Sequence, residues 1–452
     1  MENDIIRRLK TKFNSKKILV VGLGLQGGGI GLVNFFAKLG AEVRATDLKT
    51  KDQLKTALTK INDKRVKFTL GRHDEADFLG ADYIFKGPSV RWNLPQIVSA
   101  QKKGVEIDME ASFFTAYCPA KIIGITGTRG KTTTTMMIYN ILKNTGVKTY
   151  LGGNIPQVST ISLLEKVTKD DWVILELSSW QLSGFYKRKI SPHIAVLTNL
   201  YPDHLNYYNS MDEYYFDKRA IFLFQKNIDY LVANSGLKDR IQKDKPKSQI
   251  IYFSAADFPR RLSNLKGVHN LENAAAAIKI AQLLHLGIQE AIDIICNFKT
   301  LPYRQEIIGQ KNNVIFINDT TATTPTATIK AIKAFSDKPI ILLLGNSDKN
   351  LPFGELIDLL AQPRRIVLLK GSFTDKILPF LKKKYPEKIT QIYDDLLLAT
   401  KEAYKLALQL KTESYVLLSP AGASFAMFDN EFHRGDEFNK IVHQILNNDQ
   451  SV

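Results

Sequence analysis

Short apolar runs that end in glycine or polar residues alternate along the chain with longer amphipathic stretches. Runs such as Ile18–Val21, Ile122–Ile125 and Ile340–Leu344 predict buried strands, because continuous apolar runs suit strands covered on both faces. The stretches between them predict helices, as where Val33, Phe36 and Leu39 recur at helical spacing. The pattern predicts an α/β protein with open parallel sheets, whose ligands bind beyond the carboxyl ends of the strands.

This alternation falls into three segments, which predict three domains. The first boundary lies near residue 112, after a short strand at Glu106–Asp108. The second lies near residue 306, after the proline-containing stretch Phe298–Arg304, which is typical of a linker. We therefore expect residues 1–112 to be Rossmann-like, residues 113–306 to be a P-loop ATPase-type parallel sheet, and residues 307–452 to be Rossmann-like again.

The stretch Lys121–Thr135 is typical of a phosphate-binding loop. An apolar strand is followed by a glycine loop, by Lys131-Thr132 and by a helix, so that backbone N–H groups and a helix N-terminus face an anion. The spacing departs from the strict pattern, because Ile125 fills the first glycine position. The alternative is a glycine turn that merely starts a helix. The candidate phosphate-binding residues are Gly127, Thr128, Arg129, Gly130, Lys131, Thr132 and Thr133.

Two further strand ends carry candidate catalytic residues. Glu176 ends the apolar strand that begins at Asp171, and a carboxylate in that position beside a phosphate loop suits Mg²⁺. His204 closely follows the strand Ile194–Asn199, which favours a functional over a structural histidine. Lys218 lies in the aromatic stretch Tyr207–Phe224, which by itself predicts an amphipathic helix with a solvated lysine.

A second glycine turn lies near the N-terminus. Gly22–Gly27 has the spacing G-x-G-x-x-G between two predicted strands, and Asp47 follows about 20 residues beyond it. This fingerprint supports an NAD-dependent oxidoreductase. Any nucleotide diphosphate could use the same turn, so the alternatives remain open at this point.

Composition and charge limit the expected partners and cellular location of the protein. The 452 residues carry a formal net charge of +17, but the lysines are spread along the chain without a basic tail or an RNP motif, so we expect no nucleic acid partner. No apolar run approaches the about 20 residues of a membrane span, and Met1–Lys17 lacks the apolar stretch of a signal peptide. With only two cysteines, Cys118 and Cys296, we expect a reduced, cytoplasmic protein without a membrane partner.

Taken together, the motifs resemble the Mur ligase family over essentially the full length of the chain. The segment Glu176–Leu182 is similar to the branch of the family that adds D-glutamate. The motifs that carry the resemblance are Gly127–Thr132, Glu176–Leu182, Asn199–His204, His269-Asn270, Asn318-Asp319 and Ser419–Ser424.

The resemblance implies three domains that bind a UDP-linked substrate, ATP and an amino acid in turn. It also implies an enzyme that uses ATP to join UDP-N-acetylmuramoyl-L-alanine to D-glutamate through an acyl phosphate, in peptidoglycan precursor synthesis. We expect this enzyme to be a monomer. Lys131 would bridge the phosphates, Thr132 and Glu176 would hold one Mg²⁺, and His204 would hold a second. Lys218 would be carbamylated, and so anionic.

The same resemblance implies the remaining site residues. Asn270, Arg304 and Asp319 would contact the nucleotide, and Asn154 and Ser178 the substrate and metal side. The residues implied for the uridine nucleotide are Leu25, Gln26 and Asp47, and those implied for the D-glutamate carboxylates are Thr323, Lys349 and Ser424.

The chain departs from the family pattern at four places. Gly87-Pro88-Ser89 replaces the usual Ser-Pro-Gly, and Thr321 stands where a lysine is common. Leu-Asn-Tyr-Tyr follows His204 in place of the commoner acidic-basic pair, and Asn430-Glu431-Phe432 replaces Asn-Phe-Glu. None of these departures touches the ATP motifs. The alternatives are a sister Mur ligase, an amino-acid ligase like folylpolyglutamate synthase, and the oxidoreductase.

Overall fold

A computed structural model describes residues 4–24, 27–155, 158–204, 207–262 and 265–447. The predicted uridine-site residues Leu25 and Gln26 therefore lie outside the described residues. The chain divides into two compact units. The first contains the described residues up to Asn199 together with Tyr214–Ser254 and Ala276–Ala291, and the second contains Leu200–Glu213, Ala255–Ala275 and the described residues from Ile292 onward.

The first sheet lies in unit 1 and is parallel throughout. Its five described strands have the order β3-β2-β1-β4-β5. The strands are β1 (Lys17–Val21), β2 (Glu42–Asp47), β3 (Lys67–Leu70), β4 (Tyr83–Lys86) and β5 (Glu106–Asp108). The helices are α1 (Asp4–Phe13), α2 (Gly28–Lys38), α3 (Lys55–Leu58), α4 (Glu75–Leu79), α5 (Pro95–Lys102) and α6 (Glu110–Tyr117).

The second sheet also lies in unit 1, and its six described strands are all parallel. They have the order β11-β10-β9-β6-β8-β7. The strands are β6 (Lys121–Thr126), β7 (Thr149–Gly153), β8 (Trp172–Glu176), β9 (Ile194–Leu197), β10 (Tyr230–Asn234) and β11 (Gln249–Phe253). The helices are α7 (Lys131–Asn144), α8 (Ser179–Arg188), α9 (Met211–Arg219), α10 (Lys238–Lys243), α11 (Val268–Leu283) and α12 (Ile288–Cys296), with 3₁₀ helices at Ile161–Glu165, Ser235–Leu237 and Ala255–Asp257.

The third sheet lies in unit 2 and differs from the expected parallel sheet. Within the described residues it has six strands in the order β12-β13-β17-β14-β15-β16, and β12 runs antiparallel to β13. The strands are β12 (Glu306–Lys311), β13 (Val314–Asn318), β14 (Ile340–Gly345), β15 (Arg365–Leu369), β16 (Ile389–Tyr393) and β17 (Ser414–Ala421). The helices are α13 (Pro325–Ala334), α14 (Gly354–Leu359), α15 (Ser372–Lys384), α16 (Leu396–Gln409) and α17 (Glu431–Asn447).

Helices cover both faces of the third sheet, which explains its apolar strands. Leu342 and Leu344 of β14 pack into a core with α13, α14 and α15, whereas Ile341 and Leu343 pack into a second core with α16 and α17. Successive side chains of a strand point to opposite faces, so both faces must be apolar. The predicted α/β class and its three sheets are confirmed. The boundaries at residues 112 and 306 stay predictions.

Partly buried polar contacts join the first two sheet regions within unit 1. The Arg188 guanidinium of α8 donates to the Asp108 carboxylate at the end of β5. The Trp92 indole donates to Ser183 Oγ over 2.9 Å, and the Ile161 amide donates to Glu110 Oε1 over 3.0 Å. Burial raises the pKa of Glu110 to about 7.

Among the described residues, no helix is long and apolar enough to cross a membrane.

Candidate active site

The glycine loop after β6 is held in place by the segment that follows β9. The Thr128 amide donates to the Asn199 carbonyl over 3.1 Å, and the Arg129 amide donates to Asn199 Oδ1 over 2.9 Å. Gly130 precedes α7 with a left-handed φ of 81°. A Cβ on Gly127 would lie 1.9 Å from Thr198 Oγ1. The predicted strand, loop and helix are therefore present, and hydrogen bonds from the protein itself hold the loop backbone.

Two lysine ammonium groups meet the carbonyls of this loop. Lys131 Nζ lies 3.1 Å from the carbonyl oxygens of both Gly127 and Thr128. Lys218 Nζ, from α9, lies 2.9 Å from the same Gly127 oxygen and 4.6 Å from the centroid of the Tyr214 ring. Lys218 is only 1% exposed, so the expectation of a solvated lysine is wrong. Lys218 lies in the last turn of α9, and Tyr214 and Tyr215, earlier in the same helix, are also buried. The buried face of α9 therefore carries Lys218 to the loop.

Glu176 stands at the end of β8 beside the loop strand. It is the register partner of Ile125, and the amide of the next residue, Leu177, donates to the Ile125 carbonyl over 2.8 Å. Its Oε1 accepts a hydrogen bond of 3.0 Å from the Asn154 side chain. A Cβ on Gly153 would lie 2.0 Å from the Glu176 carbonyl oxygen, so glycine lets the two strands end close together.

The other carboxylate oxygen of Glu176 is a candidate metal ligand. Oε2 is buried and accepts no hydrogen bond in the described part of the chain. A buried carboxylate oxygen without a partner is costly, unless a cation completes it. Oxygen donors of this kind are those that Mg²⁺ prefers. The described residues contain no group of three His, Cys, Asp or Glu side chains placed to hold a metal by themselves, so phosphate oxygens would have to complete the coordination.

Ser178 has a structural contact in addition to its predicted role at the substrate. Its hydroxyl accepts from the Gln181 amide over 3.3 Å, while the Ser178 amide donates to the Gln181 side chain over 3.0 Å. This reciprocal pair is a capping box at the start of α8. The spacing of the two residues could have predicted it. Contact of Ser178 with substrate stays a prediction.

The N-terminal glycine turn begins where β1 ends. Asp47, at the end of the neighbouring β2, accepts the Gly24 amide on Oδ2 over 3.2 Å and the Lys49 amide on Oδ1 over 2.9 Å. The strand order reverses between β1 and β4, and such a reversal opens the crevice in which parallel sheets bind nucleotides. Gly27 precedes α2 with a φ of 104°. The glycine turn and Asp47 are thus in direct contact through the Gly24 amide, in the arrangement that the fingerprint predicts.

His204 belongs to unit 2, whereas Glu176 and Thr132 belong to unit 1. The backbone of His204 is left-handed, with a φ of 56°, and its amide donates to Asp203 Oδ1 over 2.9 Å. The Asp203 carboxylate lies 3.5 Å from Lys349 Nζ. Lys349 Nζ in turn donates to Thr323 Oγ1 over 3.1 Å. Two of the residues predicted for the amino acid therefore meet.

The third predicted residue, Ser424, is carried by a segment that lies between their two loops. The Ala421 amide donates to the Ala322 carbonyl over 3.0 Å. On the other side, the Ala423 amide donates to the Ser347 carbonyl over 2.9 Å. Ser424 is 1% exposed, and its hydroxyl has no hydrogen-bond partner within the described ranges. A lysine ammonium and a buried hydroxyl thus lie on neighbouring loops at the carboxyl end of the third sheet.

Two of the three residues predicted for the nucleotide, Arg304 and Asp319, make hydrogen bonds around residue 304. Asp319 accepts the Gln305 amide over 3.2 Å and the Ser419 hydroxyl over 2.9 Å. Arg304 donates to Thr321 Oγ1 over 3.5 Å. Asn270 donates to the Lys266 carbonyl over 2.8 Å.

Sequence reasoning missed two residues that organise the site. Asn199 supplies both the carbonyl and the side-chain oxygen that hold the phosphate loop, and Asp203 pairs with Lys349. Both lie in the segment Asn199–His204, whose position after β9 was the available signal. Their partners are 70 or more residues away in the chain, so spacing alone could not identify them.

Family comparisons agree with the observed sheets. The Mur ligase middle domain matches residues 125–264, and the Mur ligase MurD-like N-terminal domain matches residues 16–108. A Clostridium kluyveri protein named UDP-N-acetylmuramoylalanine–D-glutamate ligase is 36% identical, over 95% of this chain and 97% of that protein. A Roseiflexus protein of the same name is 33% identical, over 94% of this chain and 98% of that protein.

Solved structures show the same fold at lower identity. UDP-N-acetylmuramate-alanine ligase MurC from Thermotoga maritima gives a TM-score of 0.60 with 18% identity, and the match covers 95% of this chain and 100% of that one. MurF ligase from the same organism, solved in complex with ADP, also gives 0.60 with 18% identity, over 98% of this chain and 100% of that one. These likenesses confirm the three-domain α/β architecture.

The packing of the phosphate loop predicts the effect of a single methyl group. Gly127→Ala should lower the thermal unfolding midpoint, because the new Cβ meets Thr198 and the Asn199 amide, at a cost of about 3 kcal/mol or more. Gly146→Ala is the control, since Gly146 also has a positive φ but a Cβ there meets nothing within 4 Å. It should cost only about 1–2 kcal/mol. Equal midpoints for the two variants, measured by circular dichroism, would contradict the packing argument.

Proposed function

The chain belongs to the Mur ligase family, and from that premise we propose that it forms an amide bond between UDP-N-acetylmuramoyl-L-alanine and D-glutamate at the expense of ATP. Relatives that bear this activity in their names match nearly the whole chain. One structural observation carries the assignment to this chain's own residues. The buried, incompletely bonded Glu176 carboxylate lies on the strand beside the phosphate loop.

The chemistry explains why a nucleotide is needed. An amine cannot displace oxide from a carboxylate, so the carboxylate must first receive a good leaving group. Transfer of the ATP γ-phosphoryl group to the L-alanine carboxylate gives an acyl phosphate and ADP. The D-glutamate amine then attacks the acyl carbon, and phosphate leaves as the amide forms. Both steps concentrate negative charge, so positioning and cationic stabilisation are the main tasks of the protein.

The middle domain supplies the positioning groups. The backbone amides of the loop after β6 and the N-terminus of α7 would cradle the phosphates. Lys131, the first residue of α7, would exchange its contacts with the Gly127 and Thr128 carbonyls for the β- and γ-phosphates. Asn270, Arg304 and Asp319 are proposed to contact the rest of the nucleotide, and Asp319 also links the region around residue 304 to the third sheet.

Mg²⁺ fits the donors of the middle domain. We assign Thr132 and Glu176 as ligands of one ion, because Glu176 Oε2 is buried without a partner among the described residues, and His204 as the ligand of a second. When bound, the ions would neutralise phosphate charge and draw the two anionic substrates together. Asn154 fixes the other Glu176 oxygen, which leaves Oε2 oriented for the metal.

Lys218 is proposed to be carbamylated. Burial disfavours the ammonium form of a lysine, and the neutral amine is the form that adds CO₂, with loss of one proton, to give a carbamate anion. The amine is 1% exposed and lies against the loop carbonyl of Gly127. A carbamate there would present oxygen atoms to the metals or their ligands, which an ammonium cannot do.

The outer domains would hold the other two substrates. Thr323, Lys349 and Ser424 are carried by three neighbouring loops of the third sheet, and an ammonium beside hydroxyls suits the two carboxylates of D-glutamate. The glycine turn after β1, with Asp47, is assigned to the UDP moiety. Leu25 and Gln26 are proposed for the same site from the sequence. The oxidoreductase alternative is unnecessary, because a UDP diphosphate can use the same turn.

The substrate assignment is tested with a panel of amino acids. Phosphate release from ATP should require UDP-N-acetylmuramoyl-L-alanine and D-glutamate together, because the acyl phosphate is consumed only by the incoming amine. L-Glutamate and L-lysine serve as matched controls and should give no turnover. Turnover with either control, and none with D-glutamate, would overturn the amino-acid assignment and leave a sister ligase as the function.

The metal assignment predicts the effect of Glu176→Gln. This variant keeps an oxygen for Asn154 but loses the charge, so the Kd of Mn²⁺ in the presence of ATP, measured by electron paramagnetic resonance, should rise at least about tenfold. Glu165→Gln is the control, because Glu165 pairs with the exposed Lys38. A Glu176→Gln variant that binds Mn²⁺ as tightly as the Glu165→Gln variant does would remove Glu176 from the metal site.

The carbamate predicts a selective chemical rescue. Lys218→Ala should lose most of its activity and regain part of it when a short carboxylic acid is added, because the acid can replace the carbamate oxygens. Lys131→Ala is the matched control. Its ammonium contacts the same Gly127 carbonyl, but an anion cannot replace a cation, so it should gain nothing. Equal behaviour of the two variants would argue against the carbamate.

A further inference from the structure

Lys86 is a buried cation to which the reaction above gives no role. It is the last residue of β4, directly before the unusual Gly87-Pro88-Ser89 segment. Its register partner is Val21, the last residue of β1, after which the glycine turn begins. A Cβ on Gly87 would lie 3.8 Å from Gly22 Cα. Lys86 therefore stands at the edge of the first sheet where the UDP turn starts.

The surroundings of Lys86 solvate its charge poorly. The side chain is 1% exposed. Its ammonium lies 3.3 Å from the Gly87 carbonyl, 3.5 Å from the Met109 sulfur and 4.6 Å from the centroid of the Trp92 ring. A neutral carbonyl, a thioether and an aromatic face offset only part of the cost of burying an ammonium.

No carboxylate pairs with Lys86 in the described ranges. Asp217, on α9, is the acid whose charge acts on it from a distance, and desolvation lowers the pKa of Lys86 to about 7. Lys187, on α8, is the other charged group around the same ring, 5.4 Å from the Trp92 centroid. A buried ammonium of this kind costs stability. Such a cost is expected at a binding site, where a ligand supplies the missing anion.

The position of Lys86 indicates which ligand that is. Its register partner Val21 directly precedes the glycine turn. Asp217 of α9, whose charge acts on Lys86, is followed by Lys218, which contacts the phosphate loop. The acceptor must span this distance, since its UDP end binds the turn and its carboxylate reacts at the loop. Resting on the proposed function, we propose that Lys86 is a specificity-determining residue whose ammonium binds an anionic oxygen of the UDP-linked acceptor.

The alternative is that Lys86 has a purely structural role and packs on the Trp92 ring. The ring is already fixed without it, because the indole N–H donates to Ser183 Oγ over 2.9 Å, and Ser183 Oγ donates to the Trp180 carbonyl. The exposed Lys187 lies over the same ring. An apolar side chain of the same length could fill the space of Lys86, so packing does not require the charge.

The test compares Lys86→Met with Lys187→Met in the full chain. Calorimetry gives the Kd of UDP-N-acetylmuramoyl-L-alanine and of UDP alone, and steady-state kinetics give the KM of ATP and D-glutamate. Lys86→Met should weaken acceptor binding by about tenfold or more, the value of one charge-assisted hydrogen bond. It should leave the other two KM values within about twofold and should not lower the unfolding midpoint. Lys187→Met should change none of these.

The two ligands show which part of the acceptor Lys86 contacts. If UDP alone also binds Lys86→Met more weakly, Lys86 contacts the diphosphate. If only UDP-N-acetylmuramoyl-L-alanine binds more weakly, Lys86 contacts the sugar–peptide part. An acceptor Kd for Lys86→Met within about twofold of the parent value would overturn the inference. An equal loss of acceptor affinity in Lys187→Met would overturn it too. So would a lowered unfolding midpoint of Lys86→Met accompanied by a rise in the acceptor Kd and in both KM values. If Lys86→Met does not fold, Lys86→Gln is judged by the same criteria. A parent protein without D-glutamate turnover would instead refute the proposed function.

Discussion

The hydrogen bonds that hold the glycine loop after β6 are the constraint on which the rest of the site depends. Asn199 fixes the Thr128 and Arg129 amides, and Gly127 leaves no room for a Cβ beside Thr198. The loop carbonyls in turn position the amines of Lys131 and Lys218. If this loop binds the phosphates as proposed, hydrogen bonds within the protein already fix its backbone, and such positioning is the main contribution of a protein to phosphoryl transfer.

Incompletely satisfied buried groups stand at three of the places where a ligand is proposed. Glu176 Oε2 and Ser424 Oγ are buried without partners among the described residues, and Lys86 has no carboxylate beside it there. Native proteins satisfy nearly all of their buried polar atoms. Other buried polar atoms, such as Thr115 Oγ1 and Ser414 Oγ, also lack partners within the described ranges, but these three groups lie near the carboxyl ends of the sheets, where parallel sheets bind their ligands. A cation, an amino-acid carboxylate and an anionic acceptor would complete these three groups.

The sequence predicted several apolar central strands but missed edge strands of mixed composition in the third sheet. β6, β14 and β17 are continuous apolar runs because helices cover both of their faces. Edge strands such as β12 and β16 are half exposed and mixed in composition, so their pattern resembles that of a loop. The burial of Lys218 could not be predicted either, since it depends on contact with Gly127, which is 91 residues away. Motifs identified the candidate catalytic side chains, whereas the side chains that contact the same loop, such as Asn199, became apparent only in the fold.

The central claim is that the acceptor carboxylate receives the γ-phosphoryl group of ATP before the amide forms. It is tested most directly with UDP-N-acetylmuramoyl-L-alanine labelled with ¹⁸O in the alanine carboxylate, incubated with ATP and D-glutamate. The account predicts that each phosphate released carries one labelled oxygen, because the oxygen that bridges carbon and phosphorus leaves with the phosphate. Phosphate without label, at a normal yield of amide, would contradict it.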